Sequence, residues 1–297
     1  MVFQMHPEML AVERTNQTMH GFPYRDQILV PIQDRVVPVC ISGCGHPLLL
    51  LHGYPLDNRM WDPLIPLISD SFLCIAPDMR GFGKTREETR SFEIVDLAVD
   101  CDRMLDALQI RGPIAVCGLS MGGYVAMEFI ERYSDRISHA ILSNTRGNSD
   151  DMAGAAMRRV AGKIALEKSV REAVGPMLEK LLSSKTRLEK PNLIELVQSM
   201  MFDTKASTIV WAQLAMSKRL DFLPRMERWD LPVMCVGGEL DTIVPVAVIE
   251  RMCQAIPNAQ LQMILRSAHL SPVEQPEAFA KIIRSFVLQK PENPVHP

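Results

Sequence analysis

Short, continuously apolar runs alternate along the chain with longer stretches of helical periodicity. Residues 27–32 and 35–42 are β-like and are separated by the polar Asp34. Residues 47–51 are apolar throughout and stop abruptly at His52-Gly53, as a buried central strand would. Residues 72–78 and 113–118 have the same character, and 137–144, 231–238 and 259–265 are further strand candidates. Between 72–78 and 113–118, the positions Ile94, Leu97, Ala98, Cys101, Met104, Leu105 and Leu108 keep the spacing of one helix face. Near the end, Phe279, Ile282, Ile283, Phe286 and Val287 do the same, with Pro276 in the first turn. Strands alternating with helices predict an α/β fold, a mostly parallel central sheet with helices on both faces.

One stretch breaks the alternation. From Arg146 to Arg225 no strand is predicted, only amphipathic helical segments rich in charge and in Met, including Met152, Met157, Met177, Met200, Met201 and Met216. Unbranched Met fills irregular apolar space and adapts to different shapes. The expected organisation is therefore a core in two parts, 1–145 and 226–297, with a helical cap inserted at 146–225. Residues 1–24 are mixed and aperiodic and are expected to form an N-terminal arm or an extra edge segment.

Composition narrows the partners. Lys and Arg number 32 against 35 Asp and Glu, a formal net charge of −3, which argues against a nucleic-acid partner. No apolar run approaches the roughly 18 residues that a membrane span needs, and the first residues lack a basic region followed by an apolar block. Neither membrane insertion nor secretion is expected. There are seven Cys and no C-x-x-C pair, and Cys40, Cys74, Cys117 and Cys235 lie in apolar runs. They are expected to be buried, reduced and not metal-binding, in keeping with a cytoplasmic protein. No exposed heptad or strand edge announces an oligomeric state.

The chemistry centres on Gly118-Leu119-Ser120-Met121-Gly122, directly after one predicted strand and before the helical run that starts at Tyr124. A serine on a very tight strand-to-helix turn projects its hydroxyl above the sheet. Side chains two residues to either side would collide, so Gly is wanted at 118 and 122. The following helix points its first N–H groups at negative charge near Ser120.

Here the chain resembles the α/β-hydrolase superfamily over nearly its whole length. The matching blocks run in the family's order: HGYP at 52–55, PDMRGFGKT at 77–85, GLSMGG at 118–123, GELDTIVP at 238–245 and SAHL around His269. The detail of HGYPLDNRMW and GLSMGGYVAMEF looks most like the bacterial branch of arylesterases, cofactor-free haloperoxidases and enol-lactone hydrolases. In that superfamily the base follows the nucleophile, which leaves His139, His269 and His296. His139 lies inside a strand-like run and His296 in a Pro-rich tail, whereas His269 sits in the loop after the last strand, where the base is expected. Sites on open α/β sheets lie beyond the carboxyl ends of strands, so Asp241 is preferred to Asp230, which precedes the same strand. Glu239 is a near rival, and the resemblance favours Asp241.

Acyl transfer also needs donors aimed at the developing oxyanion. One is the N–H of Met121; by resemblance the other is the N–H of Tyr54, with Gly53 allowing close approach and His52 organising the loop. His20-Gly21-Phe22-Pro23 spells a similar pattern but follows a polar stretch and is discarded. Asp78-Met79-Arg80-Gly81-Phe82-Gly83 resembles a structural turn of the family, with Arg80 held in local hydrogen bonds. The expected activity is hydrolysis of an ester or lactone of a small, largely apolar molecule through an acyl-enzyme on Ser120. It requires no metal or organic cofactor. Dehalogenases and epoxide hydrolases of this fold use Asp at the elbow, so Ser120 argues against both. Carbon–carbon bond hydrolysis, perhydrolysis and a ligand receptor with negligible turnover remain as alternatives.

Overall fold

Among the described residues of the computed structural model, eight of the eleven strands fall where the apolar runs lie. The structure describes residues 27–85, 88 and 90–288, with backbone pairing also described at 12–13, 18–19 and 22–23. The strands are β1 (Val12–Glu13), β2 (Thr18–Met19), β3 (Phe22–Pro23), β4 (Gln27–Ile32), β5 (Arg35–Ser42) and β6 (His46–Leu51). They continue with β7 (Phe72–Pro77), β8 (Ile114–Leu119), β9 (Ile137–Ser143), β10 (Val233–Gly238) and β11 (Gln260–Ile264). Among the described residues one sheet has the order β1-β4-β5-β7-β6-β8-β9-β10-β11. From β7 to β11 every neighbouring pair is parallel, and β1, β4 and β5 add antiparallel pairings at one side.

The residue pattern accounts for these positions. In β4, Ile28, Val30 and Ile32 are buried and Leu29 is exposed, the alternation of a strand covered on one face. Leu48, Leu49, Leu50 and Leu51 are all fully buried, because β6 lies between β7 and β8 and is covered on both faces. Cys40, Cys74, Cys117 and Cys235 are buried among these strands. The expected arm lies mostly outside the described residues; β1 pairs with β4 and so extends the sheet edge.

Helix α1 (Ile94–Ala107) starts at a capping box between Glu93 and Asp96 and buries the predicted face, Ile94, Leu97, Ala98, Cys101, Met104 and Leu105. Helix α2 (Met121–Tyr133) follows β8. Between β9 and β10 come α3 (Met152–Glu167), α4 (Val170–Val174), α5 (Leu178–Leu181), α6 (Ser184–Glu189), α7 (Pro191–Asp203) and α8 (Ala206–Ser217). The chain ends in α9 (Val246–Gln254), α10 (Ser271–Glu274) and α11 (Pro276–Leu288).

The helical stretch sits on the loops that leave the carboxyl ends of β6, β7 and β11. Thr204 Oγ1 donates to Pro55 O, Thr208 Oγ1 donates to Gly81 O at 3.0 Å, and Leu270 N donates to Leu181 O at 3.0 Å. Arg59 reaches Asp203 at 3.1 Å. Of its methionines, Met200, Met201 and Met216 are buried, while Met152 and Met157 face outward from α3 at 90% and 73% exposure. Those two fill no apolar space, because α3 packs on α8 through another face. Among the described residues no helix is long and apolar enough to cross a membrane, and no cluster of three or more His, Cys, Asp or Glu could hold a metal ion.

Candidate active site

Ser120 occupies the turn between β8 and α2 with φ 54° and ψ −112°, a left-handed backbone that a residue with a Cβ adopts only at a cost. Surrounding bonds hold it there. Its N–H donates to Ser143 O at 3.0 Å, and its carbonyl accepts from Gly123 N, Tyr124 N and Thr145 Oγ1 at 2.9, 3.2 and 2.8 Å. The flanking glycines answer to close approach. A Cβ on Gly118 would lie 2.2 Å from Gly122 O, and one on Gly122 would lie 2.1 Å from Leu51 O. A Cβ on Gly53 would stand 2.9 Å from Leu119 Cδ2 and 3.5 Å from Ser120 Cβ, so the 52–55 loop runs directly beside the serine.

Asp241 and His269 meet. His269 Nδ1 lies 2.8 Å from Asp241 Oδ2, and the two residues are 2% and 5% exposed, respectively. Asp241 Oδ1 accepts the N–H groups of Ile243 and Val244 at 2.8 and 3.0 Å, and Oδ2 also accepts Asn144 Nδ2 at 2.9 Å. Burial pushes this acid up, but the bonds from His269, Asn144 and Val244 outweigh it and hold the carboxyl below its ordinary range. An ionised carboxylate only accepts, so Nδ1 of His269 carries the proton and Nε2 is left as the basic nitrogen.

Sheet topology brings the pieces to one edge. Ser120 follows β8, Asn144 follows β9, Asp241 follows β10 and His269 lies in the loop after β11, four neighbouring parallel strands. The backbone links them: Ser120 N bonds Ser143 O, and Asn144 N bonds Val236 O at 2.8 Å. Gly238 lets the 267–268 segment pass, since a Cβ there would lie 2.0 Å from Ala268 O.

The rivals within the described residues make other contacts. Glu239 is exposed and accepts Arg266 N at 2.8 Å. His139 is in β9 with its ring edge-on to Phe286 at 5.2 Å. His296, like His20 and Gly21, falls outside the described residues. His52 is fully buried, and burial lowers its pKa to about 4, so it is neutral near pH 7. Its Nε2 accepts Met79 N at 3.0 Å, which leaves the Nδ1 proton to bond Gly53 O at 3.1 Å. Both ring nitrogens are spent on holding the loop.

Tyr54 follows Gly53 in that loop, and Met121 opens α2, where N–H groups have no partner within the helix. Asp78 accepts Asn58 N and Lys84 N, each at 2.9 Å, and Arg80 bonds Asp100 with two nitrogens. These contacts make the 78–83 turn a brace for the 52–58 loop.

Three contributors were missed by sequence reasoning. Asn144 orients Asp241; the polar Ser-Asn-Thr at 143–145, straight after an apolar strand, was the available signal. Gln213 donates to the Tyr54 hydroxyl at 3.0 Å. Glu274, fully buried, accepts Ala268 N at 2.6 Å and Ser183 N at 2.8 Å, tying the His269 loop to the helical stretch. No short-range pattern marks the last two: Gln213 meets Tyr54 from 159 residues away, and Glu274 meets Ser183 from 91.

Comparison with known proteins finds the same fold. A family model described as the alpha/beta hydrolase fold matches residues 46–276. The 3-oxoadipate enol-lactonase 2 of Acinetobacter baylyi is 25% identical over 240 residues, covering 81% of this chain and 88% of its own. A thermophilic esterase from Thermogutta terrifontis superposes with a TM-score of 0.84 at 29% identity, over 88% of this chain and 98% of its own. A bromoperoxidase from Bacillus anthracis shares the fold at a TM-score of 0.79 and 18% identity, over 89% of this chain and 100% of its own.

Proposed function

The chain belongs to the alpha/beta hydrolase fold family, and from that premise we propose that it is a serine hydrolase cleaving a carboxylic ester or lactone of a small molecule. The observation that carries the proposal is the buried His269–Asp241 pair, 2.8 Å apart, on the strand-end edge that also holds the strained Ser120 turn. The esterase and enol-lactonase similarities support the same reaction class.

In this mechanism Ser120 Oγ attacks the carbonyl carbon while His269 Nε2 takes its proton. Asp241 holds the imidazole through Nδ1 and stabilises the imidazolium that forms. The N–H groups of Tyr54 and Met121 receive the negative charge on the former carbonyl oxygen. Return of the proton from His269 releases the alcohol and leaves an acyl-enzyme. Water, deprotonated by the same nitrogen, then frees the acid. Residues 146–225 act as a cap that shapes the pocket.

The test is initial rates on p-nitrophenyl esters from acetate to decanoate, phenyl acetate and a simple γ-lactone, for wild type and Ser120→Ala. We expect turnover in the wild type and a fall of at least about a thousandfold in the variant, with the melting temperature retained. Comparable rates in Ser120→Ala would overturn the proposal. Fluorophosphonate labelling of Ser120 without ester turnover would point instead to carbon–carbon substrates or a receptor.

A further inference from the structure

The loop beside Ser120 carries a polar group that this mechanism leaves unused. Tyr54 is 5% exposed, with its ring edge-on to Phe82 at 6.3 Å. Its Oη accepts Gln213 Nε2 at 3.0 Å, and Gln213 Oε1 accepts Arg158 Nη1 at 3.1 Å. Behind these, Arg158 is tied to Asp150, which also binds Arg219 at 2.8 Å. A guanidinium only donates, so the direction of every bond in this chain is set. Gln213 turns its carbonyl to Arg158 and its N–H to Tyr54. The phenol oxygen is therefore an acceptor toward Gln213, and its own O–H proton is committed to no protein acceptor among the described residues.

Burial holds this phenol well above the ordinary tyrosine range and so protonated, while Gln213 and the nearby Arg158 charge pull the other way. Groups that would stabilise a phenolate also strengthen the phenol as a donor. Its position matters as much. The backbone of Tyr54 is in the loop beside Ser120, and its hydroxyl touches α8, which lies over the loops leaving β6 and β7. The side chain thus runs from the loop beside Ser120 to the helices above that loop. A buried donor there is costly unless something entering the site accepts its proton.

Resting on the serine-hydrolase mechanism, we propose that the Tyr54 hydroxyl is a substrate-binding donor that selects esters or lactones bearing a second hydrogen-bond acceptor. That acceptor is a ketone, ether or carboxylate oxygen on the acyl or the alcohol part. Tyr54 then serves twice, its backbone N–H at the oxyanion and its side chain at the remote oxygen.

The experiment compares kcat/KM within two isosteric pairs. One is p-nitrophenyl 4-oxopentanoate against p-nitrophenyl 4-methylpentanoate; the other is 2-methoxyethyl butyrate against butyl butyrate. The wild type is expected to favour the oxygen-bearing member of at least one pair by about tenfold, and Tyr54→Phe to bring that ratio close to one. Arg158→Met, which keeps the ring and removes the charge behind it, is expected to lower the same ratio about threefold and serves if Tyr54→Phe fails to fold. A wild-type ratio near one in both pairs overturns the assignment, as does an equal loss on both members in Tyr54→Phe. In either case Ser120-dependent turnover of the plain alkyl esters would leave the hydrolase mechanism standing. Failure to turn over any of the four esters would overturn that mechanism and this assignment with it.

Discussion

At the scale of single residues, the proposed mechanism depends on what holds each reacting group. Asn144 gives Asp241 Oδ2 a second donor at 2.9 Å and binds Ala268 O at 3.3 Å, so it fixes both the acid and the start of the His269 loop. Asn144→Ala should lower kcat about tenfold with little change in KM, because only the orientation of the imidazole suffers; steady-state kinetics on one ester decide this. An unchanged kcat would remove Asn144 from the site. His52 offers a second test. Burial lowers its folded-state pKa to about 4, below the usual histidine value, so the neutral form is the one the fold requires. Its contribution is complete above about pH 6.5 and is lost as pH falls toward 4, by about 3 kcal/mol in all. Asp78 has the opposite sign in this window. Burial and Asp57 push it up to about 7, and its contribution fades as pH rises from about 4 to 7. The informative quantity is therefore the difference between stability profiles: His52→Gln should lose less stability than the wild type between pH 6.5 and 4. At this scale Ser120, Asp241 and His269 were legible in the sequence, since each stands just past an apolar run. Asn144 was not, because its role depends on β9 lying between β8 and β10, which local pattern does not state.

At the scale of elements, glycines separate two kinds of constraint. Gly122 sits against the main chain of β6, and the Cβ of Gly122→Ala would meet Leu51 O at 2.1 Å. Neither backbone can give way without moving the serine, so the variant should lose about 3 kcal/mol or more, seen as a fall in melting temperature. Gly162, inside α3, is the contrast. A Cβ there meets Val210 at an ordinary 3.5 Å, so Gly162→Ala should stabilise the protein by about 0.5–1 kcal/mol. A destabilised Gly162→Ala would show that α3 packs more tightly on α8 than these distances allow. The long helices α1 and α11 were legible because their periods repeat over 14 and 13 residues, and β4 to β11 because each falls in a short apolar run; the two-residue strands β1, β2 and β3 leave no such run. Helices α4, α5 and α6 span 5, 4 and 6 residues, hardly more than a turn each, and so leave no periodic trace. The sequence therefore indicated helix between β9 and β10 without showing how it was divided.

At the scale of the molecule, six parallel strands side by side deliver the loops to one edge, and helices between β9 and β10 close over that edge. Glu274 and Arg59 are among the ties between the two, at Ser183 and at Asp203. The α/β architecture followed from the alternation of runs, whereas the seating of the helices rests on such long-range bonds and could be seen only in three dimensions. The proposed mechanism requires Ser120 to become covalently acylated. The decisive measurement is rapid-quench mass spectrometry of the protein mixed with p-nitrophenyl butyrate, followed by peptide mapping. The expected result is a transient butyryl adduct on the peptide containing Ser120, formed in the burst of p-nitrophenol release and absent from Ser120→Ala. An adduct on another residue, or turnover that persists in Ser120→Ala, would contradict it.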